Sequence, residues 1–155
     1  MATATEKIET GKEIMLVDAT DKVLGRMATQ VAKMILNGHE VAVVNAENAF
    51  ISGHKRDIIS NYKEKLEWQD KANPEHSPYV SRRADLFVKR VIRGMLPFKK
   101  PKGKAAFKLL KVYIGFPEEF KKLKPVDVQT KPAKQIFEST MKIKDLVSKL
   151  GYNKE

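Results

Sequence analysis

From Ile14 to Val17 the chain is apolar at every position, and it turns polar at Asp18. A run this short, bounded by polar residues, predicts a buried strand. Val23, Leu24, Met27, Ala28, Val31, Met34 and Ile35 then recur at three- and four-residue spacing. That stripe predicts a helix over about residues 22–36. Asp21 is expected to cap its start, and Asn37-Gly38 to stop it with Gly38 in the left-handed region. Val41-Ala42-Val43-Val44 predicts a second buried strand, so residues 14–44 make a βαβ unit whose strands lie parallel under helices. Phe50-Ile51-Ser52 predicts a third short strand. Its direction stays open, because the link from Ala46 is too short for a helical crossover.

Gly53 turns the chain into a helix over about residues 55–68, and Asp70–Tyr79, with Pro74 and Pro78, predicts a loop. A helix over about 83–95 follows, then a short helix near Lys104. Leu109–Gly115 predicts a final strand. A terminal helix is expected at Ile143–Leu150, closed by Gly151. The expected organisation is a polar, loose tail at 1–13 and an α/β core domain at 14–117. An extension at 118–155 packs on the same domain and carries the terminal helix. At 155 residues the chain suits one domain with a hydrophobic core.

Charge changes this picture. The chain carries 30 Lys+Arg against 19 Asp+Glu, a net +11. Between Arg82 and Lys124 there are 14 basic and 3 acidic residues, which is the whole excess; the remainder holds 16 of each. Solubility does not require such segregation, whereas a polyanion-binding face does. With no cysteine, disulfides and thiolate metal sites are excluded. No apolar run reaches membrane-spanning length, and the start of the chain lacks the apolar core of a signal peptide, so the cytoplasm is the expected compartment.

On a wheel anchored at Ala84, residues Phe87, Val88, Val91 and Met95 fall within about 60° of it. Arg82, Arg83, Lys89, Arg90 and Arg93 fall on the opposite side, with Leu86 misplaced among them. A solvated face is the usual meaning of such a charge run. Here acidic partners at helical spacing are nearly missing, so the cations repel one another unless an external anion offsets them. Beyond Gly94, the segment through Pro97, Phe98 and Pro101 predicts a stiff loop that projects Lys99, Lys100, Lys102 and Lys104. Phe98 is either a base-stacking ring or, more commonly, a core anchor under the loop. Lys108 and Arg26 extend the basic set. His54-Lys55-Arg56 opens a helix where cations are disfavoured, which also points to an outside anion.

Other chemistry finds little support. DATDKVLGR (18–26) lies between strand and helix but has no Gly-rich phosphate loop. His39, His54 and His76 have no partners at metal-ligand spacing. Ser52 and Ser81 lack a nucleophile-elbow setting, and Trp68 is expected to pack at a helix end.

VDATDKVLGRMATQVAK, VAVVNAENAFISG and RGMLPFKKPKGKAAFKLLKVYIGFP, in this order, resemble the ribosomal protein L-thirteen family of the large subunit, in its archaeal/eukaryotic and rather archaeal form. The resemblance spans residues 14–117. It implies a three-layer α/β/α domain around a small, mainly parallel four-stranded sheet. It further implies a structural role in the large ribosomal subunit, with binding to large-subunit ribosomal RNA (23S-type), a part in subunit assembly and neighbouring ribosomal proteins as partners. It implies no catalysis, cofactor, metal, small-molecule substrate or membrane. The family's Arg-Gly-Met-Leu-Pro loop falls on Arg93–Pro97 and its basic stretch on Lys99–Lys104. Two other functions compete: an RNA-processing or nucleotide-binding enzyme on the same scaffold, and a membrane-surface protein using the basic amphipathic helix. The first lacks acids or a Gly-rich loop, and the second lacks uncommitted bulky apolar residues.

Overall fold

A computed structural model of the chain describes residues 14–121, 123–126, 128 and 139–152. The tail expected at 1–13 lies outside the described residues. Strand β1 (Ile14–Asp18) and β2 (Glu40–Val44) pair in parallel, joined by helix α1 (Leu24–Leu36). The predicted βαβ unit is therefore present. β2 also pairs in parallel with β4 (Leu110–Val112), which sets the order β1-β2-β4. Tyr113 continues that ladder by donating its amide to Val43 O at 2.8 Å.

The parallel sheet thus has three strands and not four. β3 (Phe50–Ser52) leaves it and pairs antiparallel with β5 (Thr140–Lys142), nearly ninety residues later. Its link from β2 is a single 3₁₀ turn at Ala46–Asn48, too short to carry a parallel crossover.

One face of the parallel sheet is covered by α1 and by α3 (Ala84–Gly94), and α5 (Ile143–Lys149) packs on α3 and on the Ala46–Asn48 turn. Met27, Val31 and Ile35 of α1, Val88 and Ile92 of α3, and Ile143 and Leu146 of α5 share that core with Val17, Val43 and Leu110. Each of these large side chains contributes roughly 1.5–3 kcal/mol by leaving water. The other face presents Ile14, Leu16, Ala42 and Val44, and its described cover is Phe120 and Leu123. The Tyr113 and Phe120 rings meet there at 5.3 Å.

Two local expectations differ from the structure. α1 starts two residues later than Asp21 would direct. Its cap is Val23, in extended conformation with no side-chain bond, while Asp21 takes a left-handed φ of 56°. Asp18 supplies the turn instead, accepting from the Thr20 amide (3.0 Å), the Thr20 hydroxyl (2.7 Å) and Asn45 Nδ2 (3.0 Å). On α3, Met95 lies outside the helix and is exposed, and Ile92 takes the buried place. The helix ends where Gly94 and the following turn bend the chain, so the stripe cannot extend to Met95.

Candidate nucleic-acid interface

The sequence from Arg93 to Lys108 folds into two turns and a helix. Leu96 N donates to Arg93 O at 3.1 Å, and Lys100 N donates to Pro97 O at 2.9 Å. Helix α4 (Pro101–Lys108) then begins with proline in its first turn, where the missing N–H costs nothing. Lys102 therefore stands on a helix and not on the predicted loop, and Lys104 lies in the short helix expected near it. Gly103 sets the geometry. It is buried, and a Cβ there would collide with the Pro97 carbonyl, so only glycine lets the helix close over the preceding turn.

Two aromatic rings fix the cations around this turn. Phe98 meets Phe107 edge to face, with centroids 5.4 Å apart at 89°. The Arg93 guanidinium lies 4.4 Å from the centre of the Phe98 ring, and Lys89 Nζ lies 5.3 Å from that of Phe107. Phe98 is thus both an anchor and a platform, and it stacks on Arg93 of its own chain. Each cation–π contact contributes about 0.5–1 kcal/mol at such a partly exposed site. Its larger effect is to hold a long side chain in one place before any ligand arrives. Phe107 escaped the sequence reading. The signal available was its place one turn after Gly103, on the face that α4 turns toward Phe98.

Arg90, Arg93, Lys99, Lys100, Lys102, Lys104 and Lys108 are exposed, and Lys89 is half-buried. Among the described residues none of these eight has a carboxylate within ion-pair distance. Lys100, Lys102 and Lys104 also crowd the N-terminal turn of α4, which contains no acid. Cations there oppose the helix dipole, and an anion would relieve both costs.

The remaining expected residues are dispersed. Arg83 is engaged by its own chain: Nε and Nη2 donate to the two oxygens of Asp85 at 3.1 and 2.7 Å. Those hydrogen bonds and the Asp85 charge raise its pKa further. Arg82 sits beside it at the far end of α3, near Gly151. Arg26 is on the first turn of α1. Thr29, three residues on, meets Met95 (Oγ1 to Sδ 3.6 Å), so Arg26 lies beside the C-terminal end of α3. His54, Lys55 and Arg56 are exposed at the start of another helix, α2 (Lys55–Glu67). Gly94 ends α3 as expected. Trp68 does not pack as expected: 51% of it is exposed, because α2 ends one residue earlier and its buried contribution to the core is Ile58.

The family model described as Ribosomal protein L13 matches residues 12–119, about two thirds of the chain. This chain belongs to that family. Among relatives named "Large ribosomal subunit protein uL13", that of Methanocaldococcus jannaschii is 48% identical over 104 residues, covering 66% of this chain and 76% of its own length. That of Archaeoglobus fulgidus is 41% identical, covering 70% and 68%. That of Methanosphaera stadtmanae is 38% identical, covering 81% and 89%. The archaeal character expected from the three sequence blocks agrees with these relatives. The family match also covers the whole Arg93–Lys108 turn and helix.

Among the described residues no helix is long and apolar enough to cross a membrane.

Proposed function

We propose that this family member is a structural constituent of the large ribosomal subunit that grips ribosomal RNA with the Lys89–Lys108 surface and acts without catalysis. The observation that carries this is the group of eight cations without a carboxylate partner among the described residues, two of them held on aromatic rings. A surface of fixed, mutually repelling cations is matched by a phosphate backbone, whose condensed counterions are released on contact. Arg93 suits bidentate phosphate contact, and its stacking on Phe98 reduces the entropy lost on binding. The set contains no residue arrangement that would read a base code, so RNA shape and junctions set specificity. The same family membership makes neighbouring ribosomal proteins its further partners and the large subunit its place.

The test is a salt titration against a large-subunit ribosomal RNA fragment. If six to ten phosphates are touched, affinity falls by roughly 10³–10⁵ between about 50 and 200 mM salt. Arg93→Ala and Lys100→Ala each lower the slope by about one phosphate's share. An unchanged slope in both variants removes the assignment.

A further inference from the structure

Beside the cation surface, α2 and α3 enclose an open cleft of about 280 Å³. Trp68 and Tyr79 stand at its rim, 51% and 72% exposed, an unusual display for two large rings. Tyr62 and Val91 form the floor; Tyr62 is held by Phe87 at 5.3 Å and carries Lys65 Nζ at 5.1 Å over its ring. The free ring faces are therefore those of Trp68 and Tyr79. Lys65 and Arg90 line the same cleft, and among the described residues no carboxylate does.

We infer that this cleft takes one unstacked base of single-stranded RNA between Trp68 and Tyr79, with Lys65 and Arg90 on the flanking phosphates. This rests on the RNA-binding role proposed above and adds a second, chemically different subsite to it. Charge selects the occupant. Aromatic rings rimmed only by cations match a nucleotide, which offers a π-face and a negative backbone together. A basic protein neighbour would be repelled by the same rim. Size agrees, since the volume is at the lower end of small-ligand pockets, about 300 Å³, and excludes a duplex. Position agrees as well. Arg90 faces the cleft, and Arg93, one turn along the same helix, belongs to the cation surface. A strand held at Arg93 is about 4.5 Å along the axis from the cleft's own arginine.

Trp68 is the chain's single tryptophan, so its emission reports on this cleft alone. The full chain is titrated with a single-stranded RNA of roughly ten nucleotides and with an abasic copy of the same length. Both strands bind through the cation surface, and only the base-bearing one quenches Trp68. Tyr79→Ala then weakens the base-bearing strand by about 5- to 100-fold and leaves the abasic strand unchanged. Arg93→Ala weakens both strands and preserves quenching at saturation. If both strands bind and neither alters Trp68 emission, or if Tyr79→Ala affects both alike, the base subsite is wrong and the cation surface stands. If the wild-type chain binds neither strand at low salt, both assignments fall.

Discussion

The two arginines at the ends of α3 have the same charge and opposite situations. Arg83 is paired bidentately with Asp85, whereas Arg93 has no acid partner among the described residues and lies on Phe98. Arg83→Ala is therefore expected to lower RNA affinity less than Arg93→Ala, because its guanidinium is already partnered before RNA arrives. Phe98→Ala keeps every charge but frees Arg93. Filter binding should then show weaker affinity with an unchanged salt slope, which separates positioning from neutralisation. Asp18 titrates in the folded protein with a lowered pKa. Burial pushes it up, but the Thr20 amide, Asn45, the Thr20 hydroxyl and Lys22 together outweigh burial. A depressed carboxylate contributes stability above its ordinary value of 3.8, and this is lost as pH falls through the folded value. In urea melts, Asp18→Asn should cost about 1 kcal/mol near neutrality, and the cost should shrink as pH falls below 3.8, where the unfolded chain's carboxyl takes up its proton.

At the scale of elements, α4 depends on a residue that helices ordinarily disfavour. Replacing a helical glycine by alanine usually gains about 1 kcal/mol. At Gly103 the sign should reverse, because the new methyl meets the Pro97 carbonyl, which is backbone and cannot swing aside. Thermal unfolding of Gly103→Ala is expected to drop, and RNA affinity with it, since the turn that carries Lys99 and Lys100 must open. An unchanged or raised midpoint would show that the turn and helix yield cheaply. The helices themselves were legible in the sequence: α1, α2, α3 and α5 lie within about two residues of their predicted spans, each marked by an apolar stripe or a glycine stop. The glycine inside KKPKGK (99–104) was not legible as a packing residue. In sequence it is one more loop former, and its role depends on Pro97 folding back over it.

For the whole molecule, the C-terminal segment completes the core. Ile143 and Leu146 are fully buried in the same core, where their helix packs on α2, α3 and the Ala46–Asn48 turn, and β5 supplies the partner of β3. A chain ending before Ser139 should fail to give a cooperative melt, because two large buried side chains and a strand pairing go with it. Such a chain would still carry the cation surface, so loss of RNA binding on truncation would report folding and not contact.

The sequence by itself determined the helical stripes, the parallel βαβ unit and the segregation of +11 charges into residues 82–124. Each is a local property, set by residue period or by simple count along the chain. Only the tertiary structure decided that β3 leaves the sheet for β5, that Arg83 is paired while Arg93 is stacked, and that Trp68 and Tyr79 share an open cleft. Those outcomes depend on which distant segment arrives beside a given backbone, and on where long side chains find a ring or a carboxylate. Spacing along the chain does not encode that, because the deciding energy comes from contacts between residues far apart in sequence.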